Sequence, residues 1–182
     1  MRNFLLAAAI LLFLLIGLVV YSSIRARRVS RATWDQLLNR LIVTDRANLV
    51  RVALDAVDEN GVPRKDPHAK ELDTDQIWNM VGGLKGLEVL EHNSRVLVEI
   101  AAYLQQWYPE AVGTAEELRH SAREIEWHVT SLRAGADSGN LDSWFARYAQ
   151  NAVATYYGMT RQLLTLYQNG DFQMLGDLQK TL

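Results

Sequence analysis

Cysteine is absent from the 182-residue chain. That excludes disulfides, thiolate metal sites, cysteine nucleophiles and a lipid-modified cysteine anchor, and it fits a reducing compartment. Proline is scarce: Pro63, Pro67 and Pro109 are the only three. Long stretches can therefore run as uninterrupted helix, and each proline marks a place where one cannot. Also missing are a Gly-rich phosphate loop, a dinucleotide fingerprint, a serine-nucleophile elbow and a haem-attachment motif. No stretch alternates as a strand would, and no fixed-period repeat appears.

One segment lacks charge altogether. Phe4 to Ile24 reads FLLAAAILLFLLIGLVVYSSI. As a helix it would be about 31 Å long, enough for a hydrocarbon core of about 30 Å. It contains no His, so it offers no imidazole to a haem or chlorophyll. Without Asp, Glu, Lys or Arg it has no proton relay or voltage sensor. Its small residues, Ala7, Ala8, Ala9 and Gly17, do not form a GxxxG pair. A cleaved secretory signal is the rival reading. The apolar core from Phe4 to Val20 exceeds the usual span of about 7–15 residues, and three arginines lie within six residues of Ser22. The expectation is a retained anchor.

Arg25, Arg27, Arg28 and Arg31 form a basic collar after that run, against Arg2 and the terminal amine before it. The positive-inside rule then places the C-terminal side in the cytoplasm. Setting aside Arg2 and the collar leaves 14 basic residues against 21 acidic ones, a charge near −7. A positive collar suits an anionic lipid surface. An acidic body argues against nucleic acid as a partner.

The remainder reads as helices. Trp34, Leu38, Leu41, Ile42, Leu49, Val52 and Ala56 recur at helical spacing, with Val43, Ala47, Val50, Leu54 and Val57 beside them. This predicts one helix over 31–57 with a wide buried face, ended by Asn60-Gly61. A solvated loop is expected over 58–73, with Pro63, Pro67 and a run of charges. A second helix is expected over 74–108. Its core stripe is Leu87, Leu90, Ser94, Leu97, Ala101, Leu104 and Tyr108. Gly82, Gly83 and Gly86 mark a kink or a close backbone approach. Thr114 and Glu117 read as a capping box opening a third helix, with a core stripe of Leu118, Ala122, Ile125, Val129 and Leu132 and a stop at Gly135. Ser138 or Asn140 is expected to cap a fourth helix. That helix carries Leu141, Phe145, Tyr148, Ala152, Tyr156, Met159, Leu163 and Leu166, ends at Asn169-Gly170, and leaves a short docking helix over 171–182. Short links favour antiparallel neighbours.

The expected organisation is thus all-α. A tail (1–3), a transmembrane helix (4–24) and a basic collar (25–31) precede an up-down four-helix-bundle-like domain with a short C-terminal helix (32–182).

Candidate chemistry is thin. Glu117 and His120 have the Glu-x-x-His spacing of di-iron bundles, but those need the motif twice. His120 also falls about 160° from Leu118 on the wheel, facing solvent. Glu88, His92, Arg95 and Glu99 read as a solvated stripe held by pairs such as Arg95 with Glu99. His120, Glu124 and His128 form a similar ladder, too few for a tetrahedral metal without ligands from elsewhere. No catalytic, metal or cofactor residue is assigned. Trp144 and Tyr157 lie off the core stripe of the fourth helix and are the candidate partner contacts.

The functional expectation is a non-enzymatic, single-pass accessory subunit of the cell (inner) membrane, docking on or stabilising a larger integral-membrane complex. The alternatives are a tethered helical sensor or ligand-binding bundle and, behind it, a metal- or cofactor-binding bundle enzyme. Against a sensor, the three residues before the run are too few for an output module.

Overall fold

In a computed structural model of the chain, the described residues are Gly17, 32–57, 71–139 and 141–182. The apolar run, the arginine collar and most of the 58–73 loop lie outside them. No helix among the described residues is long and apolar enough to cross a membrane. Those residues contain seven helices and no strand: α1 (Trp34–Leu38), α2 (Arg46–Ala56), α3 (Thr74–Val81), α4 (Gly83–Leu104), α5 (Ala111–Asp137), α6 (Leu141–Asn169) and α7 (Leu175–Thr181).

The expected helix over 31–57 is two helices. Asp45 caps α2 by accepting from the Asn48 amide at 3.1 Å. The extended residues before it are held by Asn93 of α4, 1% exposed. Its Oδ1 accepts from the Ile42 amide at 2.9 Å, and its Nδ2 donates to the Ile42 carbonyl at 2.8 Å. The buried Asn93 amide thus meets its own hydrogen-bonding need on both backbone groups of a residue outside regular structure. Ile42 and Val43, expected in a buried stripe, are exposed instead.

The expected helix over 74–108 also divides. Asp73 and Gln76 form a reciprocal capping box at the start of α3. Gly82 and Gly83 both adopt positive φ, +81° and +63°, and separate α3 from α4. Gly86 follows because a Cβ there would lie 1.7 Å from the Val81 carbonyl oxygen. The glycine cluster is thus both the break and the close approach its sequence suggested. α4 stops at Leu104, four residues short of the expected end.

α5 begins at Ala111, just after Pro109, so Thr114 and Glu117 sit inside the helix and cap nothing. Pro109 needs no amide partner there, and its own carbonyl accepts from Val112. Gly135 does not stop α5. The helix runs on to Asp137, Ser138 is its C-cap, and Gly139 takes the positive φ. Asn140, the other expected cap of the fourth helix, lies outside the described residues. Gly135 faces the start of α6, where a Cβ would make ordinary contact, 3.8 Å from the Leu141 Cα. α6 ends at Asn169 and α7 docks through Leu178, both as expected.

Side-chain pairs fix the directions. Arg133 meets Glu88 and Glu91, and Arg95 meets Glu126, so α5 runs antiparallel to α4. Asn93 lies by Tyr156 and Tyr167 by Ile100, so α6 runs parallel to α4. Asp55 meets Gln150, while Leu49 and Tyr156 line one hollow, so α2 runs antiparallel to α6. Trp34–Leu182 is therefore an up-down bundle of α2, α4, α5 and α6, with α1, α3 and α7 filling its ends. Leu87, Leu90, Leu97, Ile100, Leu118, Ile125, Leu132, Phe145 and Leu163 are at most 1% exposed. Each such side chain contributes about 1.5–3 kcal/mol of transfer free energy.

Candidate interaction surfaces

The structure places Trp144 and Tyr157 on different surfaces. They are thirteen positions apart on α6, about 20 Å along the axis and about 140° around it. Trp144 belongs to an aromatic group near the start of α6. Its ring lies 6.2 Å from that of Tyr148, which in turn lies 5.5 Å from Trp127 and 5.5 Å from His128 on α5. Trp127 is 57% exposed and Trp144 48%. Two tryptophans on adjacent helices thus stand open to solvent around one shared tyrosine. Trp144 is an expected contact, and Trp127 joins it only through the fold. Trp127 lies two positions beyond Ile125, off the core stripe by the same wheel argument that singled out Trp144.

His128 lies beneath this group, 5% exposed. Neither ring nitrogen has a hydrogen-bond partner within bonding distance. The nearest carboxylate, Glu124, stands 3.7 Å from Nε2. Burial holds its pKa below the usual histidine value; Glu124 opposes that shift, and Arg147 adds to it. The ladder with His120 does not form a site, because His120 is exposed and His128 is buried. No three His, Asp or Glu side chains converge as a metal group among the described residues.

Tyr157 is half-buried at the rim of two hollows. The larger is an open groove of about 860 Å³ between α5 and α6, with Glu117, Glu124, Tyr157, Gly158 and Arg161 in its lining. The smaller, about 200 Å³, lies between α2 and α6. The Arg161 guanidinium stacks over the Tyr157 ring at 5.8 Å from its centroid.

The expected polar stripe of α4 is held by one pair along the helix and by bonds that reach other elements. Arg95 does not pair with Glu99. It bonds Glu91 at 2.6 Å and reaches Glu126 at 3.2 Å. Glu99 receives both guanidinium nitrogens of Arg40. His92 Nε2 lies 3.0 Å from the Arg40 carbonyl oxygen. The bonds to Glu126 and Arg40 reach across because α5 and the residues after α1 flank α4, which intrahelical spacing cannot reveal. Buried Asp55 is a further junction: it accepts from the Glu71 amide and from Gln150, both at 2.7 Å. Of the sequence-assigned residues, Arg25, Arg27, Arg28 and Arg31 lie outside the described residues.

Comparison with protein families, curated proteins and solved structures finds no match for this chain.

Proposed function

We propose that this chain is a non-enzymatic, single-pass membrane protein whose bundle docks on a larger integral-membrane complex through Trp127 and Trp144. The uncharged run from Phe4 to Ile24 supports the anchor, and the arginine collar supports a cytoplasmic bundle. The observation that carries the docking reading is the exposed pair of tryptophans around Tyr148. Tryptophan is enriched among the residues that dominate protein contacts, and one buried there contributes about 2 kcal/mol or more. Tethering confines the bundle near its partner and raises the effective concentration of this patch.

The test is purification of the full chain in gentle detergent, with mass spectrometry of what accompanies it. Integral-membrane subunits should co-purify. Trp127→Ala with Trp144→Ala should release them while helical content stays unchanged. A complex that survives both changes removes the patch from the proposal.

The α5–α6 groove favours a second reading, a tethered ligand-binding bundle. Gly158 tests it, since a Cβ there meets no atom within 4 Å. Gly158→Leu should obstruct part of the groove without unfolding the bundle. A small molecule seen by native mass spectrometry in the parent chain and lost in this variant would favour that reading.

A further inference from the structure

The smaller hollow, about 200 Å³ between α2 and α6, has a lining that sorts by character. Leu49, Val50, Tyr156 and Leu164 supply apolar surface, and Leu49 and Tyr156 are buried. The Tyr156 hydroxyl lies 3.5 Å from Asn93 Nδ2 inside the bundle, and the Thr160 hydroxyl donates to the Tyr157 carbonyl at 2.8 Å. Both hydroxyls are thus engaged within the protein. Arg46 and Arg161 are the exposed residues of the lining. The charge therefore stands on the solvent side and the apolar surface inside. Arg161 stacks over Tyr157, 5.8 Å from the ring centroid, which sets the plane of its guanidinium.

The signs around this hollow are one-sided. After Asp142, α6 carries no acidic residue. α2 has only Asp55, at its other end, bonded to the Glu71 amide and to Gln150. Asp45, beside Arg46, is held by the backbone and side-chain amides of Asn48. Among the described residues, no acidic side chain lines the hollow. The chain as a whole has 21 acidic residues against 19 basic ones, so this local excess runs against its composition. The groove between α5 and α6 is the opposite case, with Glu117 and Glu124 in its lining.

We propose that the α2–α6 hollow binds a small amphiphilic carboxylate, its head at Arg46 and Arg161 and its tail against Leu49 and Leu164. A guanidinium and a carboxylate are planar partners that can share two parallel hydrogen bonds. Size sets the tail. A dry cavity of about 150 Å³ holds benzene, so the hollow suits a chain of about eight carbons or a single ring. It is smaller than the sites of drug-sized ligands, which run from about 300 to 1,000 Å³. The site needs neither the membrane anchor nor the tryptophan surface.

Octanoate is the probe. The full chain, isotope-labelled at its Leu and Val methyls, is titrated in a non-ionic detergent and followed by NMR, with circular dichroism on every variant. The detergent takes up octanoate equally in each titration, so ratios between variants are unaffected. Saturating shifts should be confined to Leu49, Val50 and Leu164. Arg46→Gln with Arg161→Gln should weaken binding by about tenfold, the size expected of two exposed ion pairs, with helical content unchanged. Arg51→Gln, an exposed change on α2 outside the lining, should leave binding as it was. Octylammonium at the same concentration should give no saturating shift. Equal binding of octylammonium, or an equal loss in Arg51→Gln, overturns the proposal. So does octanoate binding that survives the double change, or shifts spread over the bundle, since either means uptake by apolar surface alone. Binding that appears only after deletion of Leu182, which also lines the hollow, means that the chain fills the site itself and overturns the proposal too. If the double variant misfolds, a salt series on the parent chain decides, because the proposed pairing must weaken as ionic strength rises.

Discussion

The two ends of the bundle use aromatic side chains in opposite ways. At the entry end, Trp34, Tyr103, Tyr108, Tyr167 and Phe172 close over one another, and Tyr167 is wholly buried. Toward the other end, from the middle of α5 to the first turn of α6, Trp127 and Trp144 spread around Tyr148 and stay open to water. Composition cannot separate these roles, since both ends use tryptophan and tyrosine. What differs is whether a third element covers the rings. α1, the 105–110 turn and the residues leading to α7 cover the entry end. Around Tyr148, two neighbouring helices present their rings outward together.

The comparison can be broken most severely at Tyr167. Its hydroxyl reaches the Ile100 carbonyl at 3.4 Å, and burial pushes its pKa well up. Tyr167→Ala should destabilise the bundle by about 3–5 kcal/mol, the range for removing a large buried aromatic. Urea unfolding measures this. Leu97→Ala, at a fully buried site midway along α4, should follow at about 2–5 kcal/mol. Asn93→Ala comes next. It frees the Ile42 amide and carbonyl, and because Ile42 is half-exposed, water replaces part of what is lost and the cost should be about 1 kcal/mol. Hydrogen exchange at Ile42 should rise in that variant ahead of global unfolding.

A pH titration sharpens the comparison beside Tyr148. His128 is held neutral, so its folded pKa lies below its unfolded value of about 6.5. The unfolded state then binds more protons as acid is added, and stability falls. The contribution is complete above about pH 6.5 and is lost as pH drops through the folded value. His128→Phe should flatten the urea midpoint between pH 8 and pH 5.5 relative to the parent chain. The smallest expected effects are at exposed positions. His120→Ala should stay within about 0.5 kcal/mol, and Trp127→Ala with Trp144→Ala should change melting little while changing binding much.

Periodicity carried most of this fold. Leu87, Leu90, Ser94, Leu97, Ala101 and Leu104 are all buried on α4, as are Leu118, Ala122, Ile125, Val129 and Leu132 on α5. Local signals did worse where tertiary contacts decide. Thr114 and Glu117 have capping-box spacing, but the proline turn had already started α5. The unbroken stripe over 31–57 concealed the Asn93 clamp, because Asn93 is far away in sequence. One signal was legible and unused. Asn93 lies between Leu90 and Leu97 at spacings of three and four, and His128 lies likewise between Ile125 and Leu132. A polar residue at core spacing predicts a buried polar group. Of the surface, Trp144 was legible as an off-stripe aromatic, but its companionship with Trp127 depended on the register of α5 against α6.

The most direct test is the composition of what the full chain brings with it out of the membrane. The chain carrying a C-terminal affinity tag is extracted in gentle detergent, in parent form and as Trp127→Ala with Trp144→Ala. The parent should require detergent for release, keep Met1 or begin beside it, and carry integral-membrane subunits in fixed proportion; the double variant should require detergent equally and carry none. A chain that leaves the membrane fraction without detergent, or that purifies alone in its parent form, contradicts the account.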